Sequence, residues 1–345
     1  MPSHFALMLD SSYSDHSLER DIIEEAGGEL VVCDAAVWDE EHVLGQPLLA
    51  EAEVILVELA PITARVLEQA RSCVLVGRYG VGVDNVDVDA ASSAGIWVAN
   101  VPAYAAETVA DHAIMLLLAL ARELRWYTRR LYDDGWRGAN DPFVPVALQG
   151  RVLGLVGWGN IGKAVARRAL AMGIKVWAVD PYVPAEDIAR AGLVPSELSA
   201  MLGRCDFLSL HCPLNAETRH MIRKDTLDML RDGVIIVNTA RGDLIDLVDL
   251  EQALDSGRVR SAGLDVFDPE PLPPGHVLRT HPAVIATPHM AYLSDSSVTA
   301  LRTGVANNAA AVLRGGPPVH PVNSPRARQP SAPRLDPLSG PPKIQ

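Results

Sequence analysis

Leu153-Gly154-Leu155-Val156-Gly157-Trp158-Gly159-Asn160-Ile161-Gly162 is a short apolar run entering a GxGxxG turn, and Lys163–Met172 behind it reads as a helix. Each glycine meets a physical need in such a turn. Gly157 permits the tight bend, Gly159 lets the backbone approach a pyrophosphate, and Gly162 allows close packing of helix on strand. Asn160 and Ile161 open the helix, where unpaired N–H groups and the helix dipole favour negative charge. Lys175–Val179 then reads as a second strand ending at Asp180, at the separation of roughly 20 residues where a ribose-binding acid is expected. A carboxylate there accepts hydrogen bonds from the ribose hydroxyls and repels a 2′-phosphate. The unit therefore predicts a dinucleotide fold that takes NAD rather than NADP.

The same rhythm extends in both directions. Downstream, Phe207–Leu210, Val234–Asn238, Ser261–Val266 and Val284–Ala286 read as strands with helices between most of them; upstream, so do Val152–Val156 and the earlier runs Phe5–Leu9, Leu30–Cys33, Val54–Leu59 and Val74–Val76. Leu18–Ala26 and Ala64–Ala70 read as helices among the early strands. Short apolar strands alternating with helices imply βαβ units and parallel sheets buried on both faces. The fold class is α/β, with doubly wound parallel sheets in two units. Residues 106–132 read as one long helical stretch, apolar on nearly all faces over its first two-thirds, which predicts burial between domains or against a partner subunit. Residues 297–314 return to a helical pattern, and from Ser324 a tail with six prolines reads as disordered.

Composition narrows the function classes. The chain of 345 residues is 48% hydrophobic and carries a net charge of −13, from 43 acidic and 30 basic side chains. Nucleic-acid and anionic-membrane binding both need a basic surface, so neither partner is expected. The four cysteines form no CxxC pair and the ten histidines no HExxH, so neither a metal nor a disulfide framework is predicted. The first ten residues lack the basic region of a signal peptide, and the longest apolar run, Ala113–Ala121, is too short for a bilayer. A cytoplasmic location is the expectation.

Three ionisable residues follow predicted strands: Arg241 after Val234–Asn238, Glu270 after Ser261–Val266, and His289 after Val284–Ala286. Ligands of open α/β sheets bind at the carboxyl ends of strands. Arg241 offers a planar fork for a carboxylate, His289 can exchange a proton with a hydroxyl oxygen, and Glu270 can hold the imidazole in the useful tautomer. Taken singly, each is commonplace: a loop arginine, a glutamate between prolines, a histidine after Thr-Pro. Their order behind a dinucleotide fold is what points to hydride-transfer chemistry. Cys212 lies between His211 and Pro213 with nothing nearby to activate it, and reads as packing beside the adenine.

At these residues the chain resembles the D-isomer-specific 2-hydroxyacid dehydrogenase family. The matching stretches are Gly80–Asp87, Gly157–Gly162 with Asp180, Leu210–Leu214, Asn238–Gly242, Gly263–Pro271 and Thr287–Ala291. The resemblance implies a discontinuous, flavodoxin-like substrate-binding domain over residues 1–101 and 290–323, with an NAD-binding Rossmann domain inserted at 102–289. It implies that Arg241 binds substrate, Glu270 orients, and His289 donates the proton. It implies that Val81 and Gly82 hold the substrate carboxylate through backbone N–H groups, and that Val81, Cys212, Pro213, Thr239, Ala240, Arg241, Asp265 and His289 line the NAD site. It also implies a homodimer built on the long helix and the arm after it.

Within the family the chain is most similar to the phosphoglycerate-dehydrogenase-like and C-terminal-binding-protein-like branches. It departs from the latter with Tyr292 where a tryptophan is usual, and from both with Val81 where a small hydroxyl residue is common. The regulatory C-terminal domain of the long serine-pathway enzymes is not expected, and a serine-pathway role with it. The substrate expected is a small 2-oxo or D-2-hydroxy acid (hydroxypyruvate, glyoxylate, phosphoglycerate or a phosphonopyruvate-like acid) in a pocket lined by Tyr79, Val81, Tyr104 and Tyr292, with Trp136 from a partner subunit. Arg78 or Arg302 could supply a second anion contact, against the commoner reading of each as a solvated arginine. The alternative is an NAD(H)-sensing interaction protein of the C-terminal-binding-protein type with little turnover; the intact Arg241/Glu270/His289 set favours turnover.

Overall fold

The computed structural model describes residues 4–33, 39–133, 135–136 and 144–325. The chain divides into two compact units, Met1–Pro102 with Leu301–Gln345, and Ala103–Ala300.

In the first unit β1 (Phe5–Met8), β2 (Glu29–Val32), β3 (Val54–Val57), β4 (Leu75–Arg78) and β5 (Trp97–Ala99) form a parallel sheet in the order β2-β1-β3-β4-β5. That is the flavodoxin-like order. β1 and β3 are buried at every position, which is why they appear as unbroken apolar runs and not as alternating ones. The helices are α1 (Ser17–Glu25), α2 (Glu40–Leu44), α3 (Ala64–Gln69) and α4 (Val88–Ser93). After β1, the Asp10 carboxylate accepts the N–H groups of Glu58 and Ala60 beyond β3, at 2.7 and 2.9 Å, and so ties the two turns together.

The second unit begins with α5 (Ala106–Ala121) and α6 (Leu124–Asp133). Its sheet comprises β6 (Val152–Val156), β7 (Lys175–Val179), β8 (Val194–Pro195), β9 (Phe207–Leu210), β10 (Val234–Asn238), β11 (Val259–Leu264) and β12 (Val284–Ala286). All seven run parallel in the order β12-β11-β10-β9-β6-β7-β8. The order reverses between β6 and β9, the switch point where an open sheet leaves a crevice at its carboxyl edge. Helices α7 (Asn160–Ala171), α8 (Ala185–Arg190), α9 (Leu198–Leu202), α10 (Lys224–Asp228) and α11 (Leu247–Asp255) complete the layers, and α12 (Ser297–Leu313) follows.

Several elements differ from the sequence expectation. The stretch 106–132 is two helices, broken where Glu123 adopts φ 55°. That left-handed residue is held by Arg260 of β11, whose guanidinium meets the Glu123 carboxylate at 2.6 and 3.0 Å. Within its own unit α5 packs against α7, β10 and β11, with Val109, Ala110, Ala113, Ile114, Leu116, Leu117, Leu120 and Ala121 buried and Met115 left exposed. Gly263 on β11 is a glycine because Leu116 of α5 lies 2.9 Å from where its Cβ would be. β5, β8, α2 and α4 are too short to show in the pattern; α4 buries only Ala91 and is started by Asp87, which accepts the Ala90 N–H at 2.9 Å. Of the tail from Ser324, residues 326–345 lie outside the described residues.

Candidate active site

The turn after β6 is built for backbone approach. Gly157 has φ 97°, and a Cβ there would lie 2.7 Å from the backbone of His211 and Cys212, so the ends of β6 and β9 are packed directly on one another. A Cβ on Gly162 would meet the Gly157 carbonyl oxygen at 2.2 Å. Gly159 is different, because a Cβ there would touch nothing. Its side is open, and it caps α7 without any side-chain hydrogen bond, so the N–H groups of the first turn, at Asn160, Ile161 and Gly162, face an approach suited to a phosphate. Asp180, at the end of β7, accepts the Trp158 N–H at 2.8 Å on one oxygen and the Tyr182 N–H at 2.9 Å on the other. The carboxylate is thereby anchored beside the glycine turn with lone pairs left for hydroxyl donors. This open glycine cradle and its anchored acid fit a dinucleotide.

Across the switch point, Cys212 is half-buried with Sγ 3.7 Å from Met221 Sδ, and burial pushes its thiol up to about 11. A thiol so raised stays protonated and is not a nucleophile. Pro213 beside it is exposed. Burial pushes the neighbouring His211 imidazole down to about 3, so it is neutral, with Nε2 2.8 Å from the Ser209 hydroxyl.

The next three strand ends carry the ionisable residues in sheet order. Beyond β10, buried Asn238 clasps the loop: its Oδ1 accepts the Ala240 N–H at 3.0 Å and its Nδ2 donates to the Arg241 carbonyl at 2.8 Å. Thr239 is buried there, its hydroxyl meeting no partner among the described residues. Half-buried Arg241 donates from Nη1 to the Ala240 carbonyl at 2.8 Å. Beyond β11, Asp265 is fully buried. Glu270 Oε1 accepts the Phe267 N–H at 2.8 Å, and Oε2 receives His289 Nδ1 at 2.7 Å. With Nδ1–H committed to the carboxylate, Nε2 is the free nitrogen of the His289 ring. His289 itself has φ 50°, and its N–H donates to the Asp265 carbonyl at 2.7 Å.

Tyr292 stands edge-on to His289 with ring centroids 6.4 Å apart, and Tyr104 edge-on to Tyr292 at 6.3 Å. Both pack with Ile161 of the glycine turn around Ala105, Val109 and Ala291. The second unit thus brings Tyr104 and Tyr292 to the same edge as the glycine turn and His289.

Tyr79 belongs elsewhere. It is 2% exposed in the core of the first unit, and its hydroxyl donates at 3.2 Å to Glu19, a fully buried carboxylate held by Arg302 at 2.6 and 2.8 Å. This corrects the expectation for two residues: Tyr79 is committed to that core, and Arg302 to neutralising Glu19. Val81 is exposed and Gly82 half-buried, in a turn fastened by Asn100 Nδ2 donating to the Val81 carbonyl at 2.6 Å. Arg78 donates to the Tyr79 carbonyl at 2.6 Å. The clasp made by Asn238 is not expected from the sequence, where the residue shows only as the polar end of an apolar strand and the start of the Asn238–Gly242 stretch.

Among the described residues no group of three or more His, Cys, Asp or Glu side chains is placed to hold a metal ion, and no helix is long and apolar enough to cross a membrane.

Comparison with known proteins agrees with this geometry. A sequence model of the family described as "D-isomer specific 2-hydroxyacid dehydrogenase, NAD binding domain" matches residues 114–291. The chain is 38% identical over 318 residues to a D-3-phosphoglycerate dehydrogenase of Methanocaldococcus jannaschii; the match covers 92% of this chain but only 59% of that protein. It is 40% identical over 247 residues to a hydroxypyruvate reductase of Thermotoga maritima, covering 70% of this chain and 79% of the relative. Among solved structures, a D-lactate dehydrogenase from Aquifex aeolicus, complexed with NAD and lactic acid, superposes with a TM-score of 0.81 at 29% identity, covering 90% of this chain and 96% of that one.

Proposed function

The chain belongs to the D-isomer-specific 2-hydroxyacid dehydrogenases, NAD-dependent oxidoreductases, and on that premise we propose that it interconverts a short 2-oxo acid and the D-2-hydroxy acid, with hydroxypyruvate and glyoxylate as the best-fitting substrates. One observation carries this reading: His289 Nδ1 lies 2.7 Å from Glu270 Oε2, on the strand end next to the one that leads to Arg241. Gly157–Gly162 and Asp180 would hold NAD, with Cys212, Pro213, Thr239 and Ala240 lining it, and the nicotinamide, when bound, would provide the hydride chemistry at the substrate C2. Arg241 takes the substrate carboxylate in its planar fork. His289 Nε2 gives its proton to the C2 oxygen in reduction and recovers one in oxidation. Glu270 keeps Nδ1–H pointed inward and stabilises the imidazole while it is charged. Tyr104 and Tyr292 suit a short polar tail.

A panel of 2-oxo acids tests this by NADH oxidation at about 340 nm, where the reduced nicotinamide absorbs. Turnover is expected to be fastest with hydroxypyruvate or glyoxylate and much faster with NADH than with NADPH. Asp180→Ala is expected to narrow that cofactor preference by about tenfold or more, since a single lost charge-assisted contact is worth about 1.5–3 kcal/mol. Tight NADH binding with no turnover of any acid would move the reading to a nucleotide sensor.

The protein acts as a homodimer on this reading. Helix α6 has no buried residue, although Leu124, Leu131 and Tyr132 on it are strongly exposed, as is Trp136 beyond it. Leu124, Tyr127 and Leu131 recur at helical spacing on one face, which a second copy would cover. Sedimentation should give about twice the chain mass of 37.0 kDa, and Leu131→Glu should halve it; a monomeric wild type sinks the dimer.

A further inference from the structure

The turn that carries His289 is held by a buried carboxylate. Asp265 has no exposed surface. Its Oδ1 accepts the Met290 N–H at 2.9 Å and the Thr287 hydroxyl at 2.6 Å, and its Oδ2 accepts the Ala291 N–H at 2.8 Å. Donors on both sides of His289 therefore converge on one side chain, and between them His289 sits at φ 50°, a conformation that residues with a Cβ keep only when their surroundings impose it.

One further donor closes the set. His112, on α5, places Nε2 3.0 Å from Thr287 Oγ1 and 3.6 Å from Asp265 Oδ1. The Thr287 hydroxyl spends its single hydrogen on Asp265, so its oxygen can only accept, and His112 Nε2 must carry the proton. Around it on α5, Val109, Ala113, Leu116 and Leu117 are buried and apolar, and Thr108, one turn before, has its hydroxyl 3.3 Å from that of Ser294. A leucine would satisfy that packing, so the imidazole is explained by the hydrogen bond and not by the core.

We propose that His112 is a positioning residue for the reaction: through Thr287 it completes the donor set of Asp265 and so fixes the left-handed turn that aims the His289 imidazole. The proposal rests on the dehydrogenase reading above. It is tested by His112→Leu and His112→Gln, together with Thr287→Val and Thr287→Ser, which break and keep the same link without touching α5. His112→Leu and Thr287→Val should lower kcat by about ten- to hundredfold, the loss typical of a small misplacement of a catalytic group. KM for the acid and Kd for NADH should stay within about threefold in the same variants. His112→Gln, whose amide can still donate, and Thr287→Ser should recover most of the rate. Amide exchange at Met290 and Ala291 should speed up at least about tenfold in the two breaking variants, with β10 unchanged. Unaltered kcat in both breaking variants overturns the proposal, as does a parallel loss of NADH binding that the conservative variants fail to restore. If the wild type reduces no acid, the dehydrogenase reading has failed separately, and unchanged exchange at Met290 and Ala291 would then overturn the positioning role by itself.

Discussion

His289→Asn should lower kcat for 2-oxo acid reduction by about 10³- to 10⁴-fold, the upper range for losing a general acid, while NADH affinity stays within about twofold. Asparagine is the informative replacement because of the backbone. His289 has φ 50°, a region that asparagine tolerates better than most residues with a Cβ, so the N–H bond to the Asp265 carbonyl at 2.7 Å should survive. The Asn amide can still donate toward Glu270, which removes the risk of an unpaired carboxylate. What it lacks is a nitrogen that exchanges a proton. The NADH contacts proposed at Gly157–Gly162 and Asp180 belong to β6, α7 and β7, on the far side of the switch point from β12. Steady-state rates and NADH fluorescence titration on the same preparation decide the matter. If NADH binding collapses with the rate, the imidazole is a structural part of the cofactor site and not the proton donor.

How much of this site could be read from the residues depends on how local the cause is. The main strands of the second sheet are legible because burial on both faces demands continuous apolar runs, as at Val234–Asn238, buried at all positions. The glycine turn is legible because a Cβ at Gly157 or Gly162 would strike backbone. Arg241, Glu270 and His289 are legible as an ordered set, because parallel topology brings consecutive strand ends to one edge. Features that need a distant partner are not. The break at Glu123 depends on Arg260, and the burial of Tyr79 depends on Glu19 and Arg302. A tyrosine next to a binding motif looks like a pocket wall until the carboxylate it donates to is placed. Asp265 sits inside a quoted motif, yet its hold on Met290 and Ala291 follows only from where β11 and β12 end.

Gly242→Ala should be almost as damaging as losing a catalytic group, although the side chain added is a single methyl. Its Cβ would fall 2.0 Å from the Phe267 carbonyl carbon, 2.1 Å from its oxygen and 2.6 Å from the Asp268 nitrogen. All three are backbone atoms, so no rotamer change relieves the clash, and reaching an ordinary contact of 3.4 Å means moving the two loops apart by well over an ångström. Those loops are the ones that matter. Arg241 immediately precedes Gly242, and Phe267 N–H is the anchor of Glu270 Oε1 at 2.8 Å, which in turn holds His289 Nδ1. Separating them displaces Arg241 from the Glu270–His289 pair, and about 1 Å of misplacement of a catalytic group costs on the order of 10²-fold. With both Arg241 and the Glu270–His289 pair disturbed, kcat/KM should fall by about 10²- to 10³-fold. Overpacking of this kind also destabilises by about 1–3 kcal/mol, so Tm should drop by several degrees, on the order of 2–4 °C per kcal/mol. Gly203→Ala is the control, since a Cβ there meets only the Met229 carbonyl oxygen at 3.8 Å; it should leave both rate and Tm nearly unchanged. A Gly242→Ala protein with wild-type kcat/KM would mean that Arg241 and the Glu270–His289 pair do not need their observed separation, and the assignment of Arg241 to the substrate carboxylate would fall with it.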